Sequence, residues 1–169
     1  TGTWTCATPS SQVNGGVSPS LSLDSNNRAY IAQGNTTTEI LQYCNNTIGS
    51  WSCTTVTPAG TAMRYPSISI DSNGKFHIVF HNSSTNLDLS YCNNTASDNS
   101  WSCTNIETIN SVGWHPSIAI DSNNRIHTSH FDFTNSALRY CNNVNGSWDC
   151  HSILNAGSGI SGTRDSKTI

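Results

Sequence analysis

One ten-residue motif that begins Pro-Ser occurs three times along this 169-residue chain, and it restricts the fold more than anything else in the sequence. The copies are Pro19-Ser20-Leu21-Ser22-Leu23-Asp24-Ser25-Asn26-Asn27-Arg28, Pro66-Ser67-Ile68-Ser69-Ile70-Asp71-Ser72-Asn73-Gly74-Lys75 and Pro116-Ser117-Ile118-Ala119-Ile120-Asp121-Ser122-Asn123-Asn124-Arg125. Each leads to a Tyr-Cys step (Tyr43-Cys44, Tyr91-Cys92, Tyr140-Cys141) and then to a Trp-x-Cys step (Trp51-Ser52-Cys53, Trp101-Ser102-Cys103, Trp148-Asp149-Cys150). A further Trp-x-Cys stands at Trp4-Thr5-Cys6. The distance from a closing Cys to the next Pro is 13 positions each time (6 to 19, 53 to 66, 103 to 116), so Cys6 is in phase with the rest. Such self-similarity marks one supersecondary unit repeated in a row, each copy burying its apolar face against a neighbour.

Within a copy, apolar residues alternate and β-branched or aromatic residues gather between clusters of Asn, Asp, Gly and Ser, which is the pattern of short strands. The middle copy predicts strands over Ser67–Asp71, Lys75–His81, Leu87–Asn93 and Ser100–Glu107. Asp71-Ser72-Asn73-Gly74 supplies turn chemistry, because Asp accepts from backbone two residues on and Asn-Gly tolerates positive φ. No 3.6-residue apolar period persists, so almost no helix is expected. The spacing of the turn aspartates is 47 residues from Asp24 to Asp71 and 50 from Asp71 to Asp121, the size of a four-stranded propeller blade.

The expected fold is therefore all-β, about 3.5 repeats of a four-stranded antiparallel β-propeller blade. The division is 1–6 (outer strand of a preceding blade), 7–53, 54–103 and 104–150 (three blades), and 151–169 (connector and first strand of a next one, though Thr163 stands where the repeat has Pro). Since a closed propeller takes at least about four blades, the pattern implies a piece of a longer protein or an array completed by other chains. A start at Thr1 is read as a processed or excised form.

Alternation also assigns faces. Leu21, Leu23, Ile68, Ile70, Ile118 and Ile120 lie on one side of the first strand and are expected to be core between blades in all three copies. The Trp of each Trp-x-Cys step is expected to anchor one blade on the next. Trp114 occurs in one copy only and, with His115, is the candidate ligand contact.

Cysteine spacing carries the firmest chemistry. Cys44/Cys53, Cys92/Cys103 and Cys141/Cys150 are each separated by a turn-rich segment, which sets the two thiols across a hairpin. Disulfides follow, each worth about 2–3 kcal/mol in the chain-entropy account, and they imply an oxidising compartment. Zinc would want four ligands in one cluster, whereas these pairs fall one per repeat. Cys6 has no mate within the chain.

Charge excludes one class of partner. Only 10% of residues are charged, the net charge is −3 and the seven Lys and Arg are scattered, so there is no basic stripe for nucleic acid. No apolar run reaches the ~18 residues of a membrane span. Asn-x-Ser/Thr sequons occur at Asn35, Asn45, Asn82, Asn93 and Asn145, all in predicted loops or hairpins, as glycan acceptors would be. His127 and His130 sit three apart on a strand and face opposite sides, which weakens a shared metal site, and Asp71–Gly74 lacks the further acidic ligands of a calcium loop. No metal and no cofactor are expected.

The stretch Pro66-Ser-Ile-Ser-Ile-Asp-Ser-Asn-Gly-Lys-Phe-His-Ile78, followed by Leu87-Asp-Leu-Ser-Tyr91 and Ser100-Trp101, resembles the repeats of secreted sialidase-like or lectin-like β-propellers. The resemblance covers nearly all of residues 1–150. It implies a blade fold, and propellers carry lectins, hydrolases, adhesins and scaffolds alike. The Ser-x-Asp-x-Gly-x-Thr-Trp box of sialidases is not present in that form, and the cysteine pairs are an addition. A sialidase-like centre would need converging arginines, a tyrosine nucleophile and an acid/base carboxylate. Arg28, Lys75 and Arg125, like Asp24, Asp71 and Asp121, are repeated turn residues, and Glu39, Asp88, Glu107 and Asp132 show no catalytic spacing, so no enzyme is expected. Two classes of function fit: an extracellular sugar-binding or adhesion module, and a structural subunit of an extracellular ring, sheath or fibre. The expected partners are glycans or other copies of the chain.

Overall fold

The structure, a computed structural model, describes residues 6, 15–58, 60–84, 87–94 and 100–155. These form three four-stranded antiparallel sheets, each a simple meander in chain order, with no helix among the described residues. Sheet 1 contains β1 (Gly15–Leu23), β2 (Ala29–Asn35), β3 (Ile40–Asn45) and β4 (Ser52–Thr55). Sheet 2 contains β5 (Met63–Ile70), β6 (Phe76–Asn82), β7 (Asp88–Asn94) and β8 (Trp101–Glu107). Sheet 3 contains β9 (Trp114–Ile120), β10 (Ile126–Asp132), β11 (Ala137–Asn142) and β12 (Asp149–Asn155). The four strands expected in the middle copy are all present. The first begins earlier than Ser67, at Met63.

Turns are made as the motif requires. Asp24 Oδ1 accepts from the backbone N–H of Asn26 and Arg28 (both 2.9 Å), and Asp71 and Asp121 do the same for Asn73/Lys75 and Asn123/Arg125. This Asx geometry closes the β1–β2 type of turn. The cysteine pairs stand directly opposite one another on the third and fourth strands, and disulfides join Cys44–Cys53, Cys92–Cys103 and Cys141–Cys150. Cys6 is a free, exposed thiol.

Successive sheets pack face to face. Tyr30, Leu41 and Tyr43 of sheet 1 meet Ile68, Ile78 and Phe80 of sheet 2, while Val79, Leu89 and Tyr91 of sheet 2 meet Ile118 and Ile126 of sheet 3. Each fully buried aliphatic side chain stabilises the stack by roughly 1.5–3 kcal/mol. The repeated tryptophan is a packing anchor, as expected: Trp101 lies 5.4 Å from the Tyr43 ring and Trp148 lies 5.2 Å from the Tyr91 ring. The first strands are also bridged in the same way twice, Ile68 N–H donating to Ser20 Oγ (3.2 Å) and Ile118 N–H to Ser67 Oγ (3.3 Å).

Three expectations need correction. Leu21 and Leu23 are not core: they are 60% and 55% exposed, whereas Ile68 and Ile118 at the position of Leu21 are 5% and 9% exposed. The repeat fixes which way these side chains point, but burial needs a sheet on that side, and no described sheet covers that face of sheet 1. The blade boundaries set at Cys53, Cys103 and Cys150 also fall inside the fourth strand, which runs on to Thr55, Glu107 and Asn155, as the strand predicted over Ser100–Glu107 does, because backbone pairing with the third strand continues. Residues 151–155 therefore belong to β12 and not to a connector; the rest of the expected connector, and the Trp4 strand, lie outside the described residues.

Candidate functional site between successive sheets

The residue before each repeated Pro has positive φ: Ser18 (49°), Tyr65 (53°) and His115 (47°). The pairing register slips at the same place in every sheet, between Val17 and Ser20, between Arg64 and Ser67, and opposite Ser129/Phe131. A β-bulge with a left-handed residue kinks the strand and re-aims the side chains beside it. Here it turns the dipeptides Val17-Ser18, Arg64-Tyr65 and Trp114-His115 toward the mouth of the cleft between one sheet and the next. A second left-handed residue recurs in the hairpin between the second and third strands, at Glu39, Leu87 and Ser136.

The two clefts share this frame and differ in what fills it. Between sheets 1 and 2 the mouth is a hollow of about 250 Å³. One wall carries Val17, Ser18 and Gly34, and the other carries Met63, Arg64 and Tyr65. Asn35 and Glu39 close the side formed by the β2–β3 hairpin. Asn35 is buried, and its Oδ1 accepts from the Thr37 and Thr38 N–H groups (3.0 and 3.1 Å), which holds the hairpin that carries Glu39. Glu39 O in turn accepts from Thr61 N–H (3.0 Å), tying the hairpin to the segment entering β5. An acidic residue, an exposed arginine, an asparagine and a tyrosine thus line one small concavity together with Gly34 and Met63.

Between sheets 2 and 3 the corresponding space is occupied by aromatic rings. His115 stacks on Tyr65 with centroids 3.9 Å apart, Trp114 lies 4.5 Å from His81 and 5.6 Å from Phe133, and Trp114 Nε1 donates to Ser111 Oγ (2.8 Å). His81 stands where sheet 1 has Gly34. It is fully buried, neither ring nitrogen has a hydrogen-bond partner, and burial, with help from the positive Arg64 and from His115, pushes its pKa down to about 4. Gly113 is obligatory on this side: its φ is 78°, and a Cβ there would lie 2.7 Å from Leu89 Cα.

The structure thus brings Trp114 and His115 together with Tyr65 in an aromatic patch on which Phe133 remains 49% exposed. Sequence reading missed Arg64, Tyr65, Glu39 and Asn35 as members of one site. A signal for two of them was present, since the dipeptide before the repeated Pro is Val-Ser, Arg-Tyr and Trp-His in three copies that otherwise agree closely. The approach of Glu39 depends on hairpin geometry and carries no such mark.

The remaining polar clusters are structural. His77 Nδ1 lies 2.6 Å from Tyr91 Oη with its Nε2 3.5 Å from Asp71, and His127 repeats this with Tyr140 and Asp121. In sheet 1 Tyr30 Oη donates straight to Asp24 (2.9 Å). Glu107 of β8 pairs with Arg139 of β11 and lies 3.1 Å from His130 Nε2, so His127 and His130 face opposite sides of β10 as their spacing requires. Glu107 also lies near Cys141 and Cys150, but those sulfurs are joined as a disulfide and offer no thiolate to a metal. Of the sequon asparagines Asn145 is exposed, Asn45, Asn82 and Asn93 are partly covered, and Asn35 is buried.

No family model and no curated protein matches this sequence. Solved structures do share its fold. A protein of unknown function from Dyadobacter fermentans superposes with a TM-score of 0.64 at 9% identity, over 86% of this chain and 42% of its own. A fucose lectin from Kordia zhangzhouensis in complex with methyl-fucoside gives 0.54 at 12% identity, over 81% of this chain and 99% of the lectin's. An ulvan lyase bound to a sulfated rhamnose-glucuronate unit gives 0.59 at 13% identity, over 79% and 37%. The chain spans less than half of the first and third of these. At such identities the likeness is one of fold, an all-β arrangement of blade-like sheets.

Proposed function

We propose that this chain is an extracellular sugar-binding β-propeller module, and that the hollow between sheets 1 and 2 is where it takes a sugar. The observation that carries the reading is the convergence of Glu39, Arg64, Tyr65 and Asn35 on one concavity of about 250 Å³. Sugar hydroxyls are donors and acceptors at once, so a carboxylate and a guanidinium lining one hollow can bind hydroxyls with charge-assisted hydrogen bonds. A phenol ring at the rim offers an apolar face to C–H groups of the sugar ring. The volume lies below the ~300–1,000 Å³ of drug-sized pockets, which favours one sugar ring over a long polysaccharide groove. The fucose lectin and the ulvan lyase among the structural neighbours handle sugars on the same kind of sheet array, which supports a sugar as the ligand class.

The aromatic patch of Trp114, His115 and Tyr65 is a second contact surface on the same rim, suited to stacking and not to enclosing a ring. Multiple weak contacts of this kind raise avidity for branched or surface-bound glycans. Three disulfides fit secretion into an oxidising compartment, and Asn145, exposed in the β11–β12 turn, is the sequon best placed to carry a glycan.

Titration with a panel of methyl glycosides, methyl-fucoside among them, followed by saturation-transfer NMR on the chain and on Arg64→Ala, tests the proposal. Saturable transfer to at least one glycoside that disappears in Arg64→Ala is expected. Absence of transfer from every glycoside, or transfer that Arg64→Ala leaves intact, would remove this hollow as the site.

A further inference from the structure

We propose that the chain associates head to tail with a second copy of itself, the outer face of sheet 3 receiving the outer face of sheet 1. The two internal sheet contacts define the interface chemically, and the two outer faces are its unmatched halves. On the side that faces the following sheet, Leu41 and Leu89 are fully buried, while Leu138 at the same position of sheet 3 is 36% exposed. Val56 and Ile106 pack into the two internal cores, while Ile153 at their position is 58% exposed. On the side that faces the preceding sheet, Leu21 and Leu23 are exposed where Ile68 and Ile118 are buried. Four apolar positions are thus covered, wholly or in part, at both internal contacts, and two of them are bared on the outer face of sheet 1 and the other two on that of sheet 3.

Shape and hydrogen bonding agree. Sheet 3 carries on its outer face a hollow of about 90 Å³ lined by Ser117, Ala119, His127, Ser129 and Tyr140. The equivalent surface of sheet 1 takes Ile68 and Phe76 of sheet 2, and that of sheet 2 takes Ile118 and Ile126 of sheet 3. Leu21 of a second copy is the matching knob for the hollow on sheet 3. Ser117 occupies the place of Ser20 and Ser67, whose hydroxyls each accept from the N–H of the residue at the Leu21 position of the next sheet. Tyr140 occupies the place of Tyr43 and Tyr91, which each receive a tryptophan, and Trp51 is the tryptophan that a second copy would bring. An unrelated partner would have to reproduce this pattern; a second copy has it already. Contacts of this heterologous kind close into a ring or run on as a filament.

Sedimentation velocity over a wide concentration range, in a Cys6→Ser background so that no linkage through that thiol contributes, gives the test. The Cys6→Ser chain should self-associate reversibly. Leu21→Asp and Ala119→Arg, which each spoil one half of the interface, should each weaken self-association at least about 30-fold, the loss of a central interface anchor. Mixed one to one, they should form a heterodimer and nothing larger, since that pair retains a single intact interface. A Cys6→Ser chain that stays monomeric at every concentration, single variants that assemble like it, or a mixture that stays monomeric would each overturn the proposal. Circular dichroism melts establish that the variants fold; if either does not, Leu21→Ser and Ala119→Lys replace them with the same expected outcomes.

Discussion

The two clefts of this protein are built on one frame and differ in content. Each is opened by a bulged, left-handed residue ahead of a repeated Pro, and each is flanked by the same hairpin. In the first, Gly34 and Met63 leave room and Glu39 and Arg64 line it. In the second, His81, Trp114, His115 and Phe133 take up the corresponding space. A repeat therefore supplies geometry several times over, and a handful of substitutions at the bulge decides whether a given copy makes a pocket or a plug. This is why repetition in the sequence speaks to the fold while function has to be sought where the copies disagree.

The contrast can be broken at several points, and the largest effect belongs to the second cleft. Gly113→Ala forces a Cβ into Leu89 backbone at a positive φ and is expected to cost about 3 kcal/mol or more, read as a lowered denaturation midpoint. Trp114→Ala removes a half-buried ring from the plug and should cost roughly 2–3 kcal/mol of stability while leaving glycoside binding at the first cleft unchanged. Arg64→Ala should behave in the opposite sense, with stability close to wild type and affinity for the bound glycoside falling about 10–100-fold by titration calorimetry, the loss of charge-assisted hydrogen bonds.

Acid should act through the plug. His81 has its pKa lowered to about 4, and burial lowers that of His77 as well, so both are held neutral in the folded protein and take up protons more readily when unfolded. The contribution of His81 to stability is complete above pH 6.5 and is lost as pH falls from there toward 4, and that of His77 is lost in the same direction, on acidification. His81→Phe, which copies the residue that sheet 3 carries at this position, Phe131, should flatten that part of the stability–pH profile. The smallest effect is expected in the first cleft: at Gly34 a Cβ meets chiefly the flexible Met63 sulfur, at 2.9 Å, so Gly34→Ala should cost less than about 1 kcal/mol. Equal costs for Gly113→Ala and Gly34→Ala would erase the distinction between the clefts.

Much of the fold was legible because strand alternation, turn aspartates and paired cysteines each repeat at a fixed spacing. Three sheets, their turns, the tyrosine–tryptophan anchors and the three disulfides all follow from residues that interact locally or with the copy next door. Leu21 and Leu23 show the limit: their side chains point as the pattern demands, but exposure is set by whether another sheet lies opposite, which no local pattern encodes. The first cleft was hidden for a related reason. Glu39 and Arg64 are 25 positions apart and come to line one hollow only through the stacking of two sheets. Trp114 drew notice as an unrepeated aromatic, and its place in the second cleft is a packed one.

Chemical-shift mapping of a glycoside titration on isotope-labelled protein tests the central claim most directly, because it locates the ligand. If the first cleft is the sugar site, saturable shifts will concentrate on the backbone amides of Gly34, Asn35, Glu39, Arg64 and Tyr65, with those around Trp114 changing less. Shifts centred on Trp114, His115 and Phe133 with the first cleft silent, or no saturable shifts with any glycoside, would contradict it.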